Sequence, residues 1–203
     1  VLSSLILTSF SLQPLTPALA IELKVLGPGE RIHGADISRW QHPNGKEINF
    51  NKMHAAGVDF VMIKASDTRD NSDQLSAKYV KMDRKGAQAA GIYTGFYHYA
   101  LLPDVTSRTA IRRDARVQAQ KVIWRLASLG GYNEMDLPFA LDLENNCVRV
   151  SSSSVCQKRA TRSAATAWAK EFLKTVKIKT GRTPLIYSSP HFLENSLKRD
   201  KEL

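Results

Sequence analysis

Leu137-Pro138-Phe139-Ala140-Leu141-Asp142-Leu143-Glu144 is the stretch that decides how the rest of the chain is read. After Pro138 the run is apolar except for Asp142 and Glu144, a pattern that suits a strand buried on both faces in a parallel sheet. Positions two apart on a strand project to the same side, so the two carboxylates face one space. Burial and mutual repulsion there push their pKa values apart, which lets one carboxyl keep its proton while the other stays ionised. Cleavage of a glycosidic bond uses such a division of labour. A strand end at the surface, with two solvated acids beside Asn145 and Asn146, is the other reading open at this point.

Outward from this strand the chain alternates. Apolar, β-branched or aromatic runs at Ile32–Ser38, Val58–Ala65, Ile92–Tyr99 and Leu185–Tyr187 read as further strands. Helical spacing marks Gln74–Ala90, Arg108–Leu129 and Lys158–Val176, with a short helix at Asn49–Ala56 and another starting in His191–Leu197. Ser66–Asp73 is polar and reads as a loop, while Trp124 and Trp168 fall within helical stretches and are expected in the core. Strand–helix alternation indicates an α/β fold with a parallel sheet, either a barrel or doubly wound. No Gly-x-Gly-x-x-Gly follows a strand, which argues against a dinucleotide fold. In a barrel the site lies at the C-terminal strand ends. That rule nominates Asp36, Lys64, Tyr97, His98, Asp142, Glu144 and Tyr187, with Lys64 expected to pair with an acid because an unpaired buried lysine is costly.

The chain of 203 residues is long enough for one domain with a substantial core, and it holds no long apolar run in its body that would span a membrane. Val1–Ala20 is uncharged, apolar and ends Ala18-Leu19-Ala20, as the later part of a secretory signal peptide does. The chain therefore divides into a partial signal peptide, residues 1–20, and one domain, residues 21–203. Export would let Cys147 and Cys156, which bracket the serine run Ser151–Ser154, close a disulfide. Their spacing is not that of a zinc site, and no metal or cofactor is expected. The formal charge of +10 suits attraction to an anionic polymer, with a bacterial cell wall as good a fit as nucleic acid. Nucleic acid is the weaker reading, since no ribonucleoprotein or zinc-finger pattern is present.

Five segments in order resemble glycoside hydrolase family 25, the Chalaropsis-type lysozymes. They are Gly34-Ala35-Asp36-Ile37-Ser38 with Trp40-Gln41, Gly57–Ser66, Ala90–Ala100, Leu141-Asp142-Leu143-Glu144, and Thr180–Tyr187. The resemblance implies an irregular (β/α) TIM-like barrel that cleaves the β-1,4 bond between N-acetylmuramic acid and N-acetylglucosamine of peptidoglycan with retention of configuration. Carried over residue by residue, Glu144 matches the general acid/base, Asp142 its partner acid and Asp36 the first-strand aspartate of the site. Trp40, Lys64, Tyr97, His98 and Tyr187 are the candidate substrate contacts.

Two departures accompany the resemblance. Asp67 stands where many members have a Glu, and the chain stops at Leu203, before the family's remaining strands. The expectation is therefore a barrel lacking its C-terminal strands, in a secreted, extracellular or periplasmic monomer whose partner is the peptidoglycan glycan strand, with no membrane insertion after signal cleavage. A non-catalytic glycan-binding barrel is the alternative. A chitinase-like enzyme is disfavoured, because Asp136, Asp142 and Glu144 lack the Asp-x-x-Asp-x-Asp-x-Glu spacing.

Overall fold

Among the described residues the apolar runs pair as five parallel strands, with four helices connecting them. The computed structural model describes residues 31–150, 155–201 and 203; the signal-peptide reading of Val1–Ala20 and the serine run Ser151–Ser154 lie outside the described residues. In chain order the elements are β1 (Gly34–Ile37), α1 (Phe50–Ala55), β2 (Phe60–Asp67), α2 (Asp70–Ala89), β3 (Tyr93–Tyr99), α3 (Arg108–Ser128), β4 (Ala140–Asp142), α4 (Arg162–Thr180) and β5 (Leu185–Tyr187). A π-helical turn, Phe192–Ser196, follows.

The strands lie in sequence order, every neighbouring pair parallel. Right-handed crossovers that never reverse direction carry all the connecting helices to one face of the sheet. A doubly wound sheet reverses partway and covers both faces, so that alternative does not fit this order. The sheet is open, with β1 and β5 as its edges; a closed barrel is not present among the described residues.

Period-two alternation sends Val61, Ile63, Ala65, Phe96 and Leu141 toward the helices. There they pack with Ala115, Ala119 and Val122 of α3 and with Ala165, Trp168, Phe172 and Val176 of α4 in one buried core. Side-chain caps fix where the two outer helices begin: Ser107 Oγ accepts from Ala110 N and Thr161 Oγ1 from Ala164 N. α4 ends at Gly181, whose left-handed backbone (φ 74°) a glycine adopts without steric cost. On the helix-free face, Phe60 and Met62 fill the N-terminal half. They fit because Gly34 and Gly95 are bare: a Cβ on Gly34 would overlap the Phe60 ring, and one on Gly95 the Met62 sulfur.

Two expectations are corrected here. Trp124 is not core but 67% exposed, whereas Trp168 is fully buried. Trp124 lies two residues from both Val122 and Leu126 of the buried stripe, and at 100° per residue that turns it to the outer side of α3. Ser66–Asp73 is not a loop: β2 runs on to Asp67, and α2 starts at Asp70 with Asp70 and Asp73 in its first turn, where the helix dipole favours acids. Polarity misleads at the start of this stretch because Ser66, Asp67 and Thr68 are buried and satisfied. Ser66 bonds His98, and Thr68 Oγ1 accepts from Leu101 N.

Candidate active site

The helix-free face gathers most of the candidate site residues at its C-terminal half. Asp36 of β1, Lys64 of β2, Tyr97 and Tyr99 of β3, Asp142 of β4 and Tyr187 of β5 alternate onto it, and Glu144 follows two residues after Asp142. Parallel register aligns them: Lys64 lies beside Tyr97, and Asp67, Tyr99, Asp142 and Tyr187 form one rung across four strands. β4 is shorter than the Leu137–Glu144 run predicts, but backbone bonds hold the chain beyond it. Ala100 N donates to Asp142 O (2.9 Å), Leu143 N to Tyr187 O (3.0 Å), and Ser188 Oγ to Leu143 O (2.6 Å). The acid pair is thus framed by β3 on one side and β5 on the other.

Asp142 is 6% exposed while Glu144 reaches solvent. Burial, the charge of Glu144 and a hydrogen bond between the two carboxyls push Asp142 up to about 8, with Lys64 partly opposing and Asp36 adding to the rise. At neutral pH Asp142 therefore keeps its proton. Burial also raises the Tyr97 phenol, reinforced by Asp36, Asp142, Asp67 and Glu144 around it. The phenol stays protonated, with four acidic side chains around it. Tyr187, 58% exposed, is raised chiefly by the charge of Glu144.

Lys64 meets the acid expected of it: its Nζ lies 2.7 Å from Oδ2 of the fully buried Asp67. Arg69 binds the same carboxylate, Nε to Oδ1 and one terminal nitrogen to Oδ2, both at 3.1 Å. Burial alone would raise Asp67, but the bonds from Arg69 and Lys64 outweigh it and hold this carboxyl below the usual range. Both cations lie over the Tyr99 ring, at 4.7 and 5.4 Å from its centroid. The Tyr99 hydroxyl accepts from Asn145 Nδ2 at 3.4 Å, and Asn145 Oδ1 accepts from Cys147 N.

His98 does not join the site. Alternation turns it to the helix side, where it is fully buried, hydrogen-bonded to Ser66 Oγ (2.8 Å) and stacked on Phe172 with centroids 5.1 Å apart. Burial lowers its pKa to about 3, so it is a neutral core residue. Trp40 sits just beyond β1 on a short turn capped by Ser38 and Gln41. It is 73% exposed, with the Arg39 guanidinium 4.0 Å from its ring, at the same end of the sheet as Asp36. Cys147 and Cys156 are joined, their Cα atoms 5.4 Å apart, closing the loop behind Glu144. Tyr99, Asn145 and Arg69 were missed by sequence reasoning. Tyr99 was within reach, since it follows Tyr97 by two. Among the described residues no group of three or more His, Cys, Asp or Glu is arranged to hold a metal ion.

An acid pair at the C-terminal end of a strand, in a parallel sheet with all its helices on one side, is an arrangement that acid–base cleavage of a glycosidic bond can use. The chain belongs to glycosyl hydrolases family 25, whose family model matches residues 35–202. Lysozyme M1 of Streptomyces globisporus is 33% identical over 172 residues, covering 82% of this chain and 50% of that protein. The N,O-diacetylmuramidase of Arthroderma benhamiae is 33% identical over 191 residues, covering 89% of this chain and 70% of that protein. Among solved structures, the muramidase from Acremonium alcalophilum superposes with a TM-score of 0.59 at 30% identity, over 84% of this chain and 71% of that one. The chain thus spans half the length of its Streptomyces relative and about 70% of the two fungal ones.

Proposed function

We propose that this protein is a muramidase that hydrolyses the β-1,4 bond between N-acetylmuramic acid and N-acetylglucosamine in peptidoglycan, with retention of configuration. The observation that carries the reading is the Asp142–Glu144 pair: one proton, one buried carboxyl to store it, and one solvent-facing carboxyl to deliver it. A glycan-binding barrel without catalysis has no use for such a pair.

Glu144 is the general acid/base, being the member that substrate can touch. Asp142 supplies the proton by the hydrogen bond between them and, once ionised, stabilises positive charge developing at the anomeric carbon. Asp36 adds negative charge on the far side of Tyr97, whose hydroxyl positions a sugar substituent between them. Lys64 and Tyr187 stand beside the pair on the same face of the sheet, and Trp40 offers an exposed ring at the same end for a sugar face.

The sheet is read as the first five strands of an irregular (β/α) barrel, in keeping with its one-way strand order. Export is supported by the apolar leader with its Ala18-Leu19-Ala20 end and by the Cys147–Cys156 disulfide, which suits an oxidising compartment. No helix among the described residues is long and apolar enough to cross a membrane.

The test is to incubate purified peptidoglycan with the full-length protein and identify the new reducing ends by mass spectrometry, beside a Glu144→Gln variant. New N-acetylmuramic acid ends that vanish in the variant support the reading. N-acetylglucosamine ends would move the cleavage to the other bond, and no new ends from folded protein would end the enzyme reading.

A further inference from the structure

The acid at the other end of the rung is held by two cations. Around the start of α2 the remaining ion pairs are one to one: Lys121 with Asp70 at 2.8 Å and Arg125 with Asp73 at 2.9 Å. Asp67 holds two cations, Lys64 and Arg69. Lys64 also faces Asp142, whereas Arg69 has Asp67 as its carboxylate partner. Lys64 is the inner cation, its side chain 17% exposed; Arg69 is the outer, at 39%.

The Arg69 guanidinium is engaged on one side only. A guanidinium has two edges able to grip a carboxylate by paired N–H donors. The edge formed by Nε and one terminal nitrogen is spent on Asp67. The other terminal nitrogen has no partner among the described residues. The open edge is held in place by a fully buried acid, so little side-chain freedom remains to be lost when an anion docks. Arg69 also leans on Tyr99, which stands between Asp67 and Asp142 on the rung. Two strand spacings, about 10 Å, separate the backbones at Asp67 and Asp142.

We propose that Arg69, backed by Lys64, is a specificity subsite that grips a carboxylate carried by the glycan, next to the sugar being cleaved. The inference rests on the hydrolase reading above. Two sources in wall glycan share this chemistry: the lactyl ether of the muramyl sugar when it bears no peptide, and the free carboxylates of the stem peptide when it does.

The test compares peptide-free and peptide-bearing glycan, each untreated and with its carboxylates capped as methylamides, measuring KM and kcat separately. For the wild-type full-length protein, capping is expected to raise KM about tenfold, the effect of losing one charge-assisted contact, with the ratio shrinking at high salt. In Arg69→Ala the capped-to-uncapped KM ratio is expected to fall to about one, and Arg69→Lys, which lacks the fork, to recover it only in part. An effect on peptide-free glycan assigns the lactyl carboxylate, and an effect on peptide-bearing glycan alone assigns the stem; either supports the proposal. A wild-type ratio near one overturns it and needs no variant to fold. A ratio that survives Arg69→Ala also overturns it, leaving Arg69 as support for Asp67. Absence of turnover in every arm is a different result, which removes the hydrolase reading and this inference together.

Discussion

Asp67 and Asp142 stand on the same rung of the sheet, on either side of Tyr99, and both are buried. Their carboxyls nevertheless move in opposite directions, Asp67 below its ordinary value and Asp142 up to about 8. Burial pushes both upward, so burial cannot be what separates them. The sign of the neighbours does. Asp67 is gripped by Lys64 and Arg69, whereas Asp142 is crowded by Glu144 and Asp36 with only Lys64 in opposition. One end of the rung keeps its charge and the other holds a proton, which makes the Asp142 end the candidate for the proposed chemistry.

The largest effect should come from removing the proton-trading end. Glu144→Gln is expected to lower kcat about 10²- to 10⁴-fold, the usual worth of a positioned acid/base, with folding intact because Glu144 is exposed. Reducing-end release on purified peptidoglycan measures it. Activity within tenfold of wild type would mean that the proton comes from elsewhere, and the contrast between the two acids would lose its functional meaning.

Removing the charge-keeping end should instead cost stability. Asp67→Ala leaves Lys64 largely buried without its carboxylate, at an expected cost of about 3–5 kcal/mol. Urea unfolding would register it as a lower midpoint with an unchanged slope. A loss under 1 kcal/mol would show that Lys64 escapes to solvent and that the pair is worth no more than a surface bridge.

The two acids also predict opposite pH behaviour. Asp142 has its proton bound in the folded protein up to about 8 but only to about 3.8 when unfolded. The stability this contributes is complete below 3.8 and is lost as pH climbs through that window. Asp67 releases its proton more readily folded than unfolded, so its contribution is present above 3.8 and is lost as pH falls through its lower folded value. Thermal melts of Asp142→Asn should therefore lose the decline between pH 4 and 8, keep the acid-side fall, and accompany a loss of activity. If the alkaline decline persists in Asp142→Asn, some other group holds the extra proton.

The contrast also explains what was legible beforehand. Strands β2, β3 and β5 were readable because apolar alternation and β-branched residues mark them, and the paired acids were readable because a strand repeats every two residues. Of the cations on Asp67, Lys64 was expected to meet an acid and Arg69 was not. Arg69 sits in a polar stretch that resembles a loop, and nothing local says that its partner is fully buried. His98 failed for a related reason. Its place next to Tyr97 suggested the site, yet adjacent residues on a strand face opposite ways, and a neutral histidine with one hydroxyl partner is easily housed in a core. Pattern gives the face of a residue, while charge partners drawn from distant segments give its chemistry.

The smallest effect belongs to Tyr99, the residue between the two ends. Tyr99→Phe removes the hydroxyl that accepts from Asn145 at a long 3.4 Å but keeps the ring under Lys64 and Arg69. The expected cost is about 0.5–1 kcal/mol. Tyr99→Leu removes the ring face as well and should cost a further ~0.5–1 kcal/mol per cation released. Unfolding of the two variants therefore divides the residue into its halves. A large step from Phe to Leu with a small one from Tyr to Phe would locate its value at the cation end, making Tyr99 a spacer that keeps the charges of Lys64 and Arg69 from collapsing onto Asp142. The reverse order would locate it in the link through Asn145 to the Cys147 backbone, so that the segment carrying Glu144 and the Asp67 cluster are joined through one hydroxyl and the two ends of the rung are not independent.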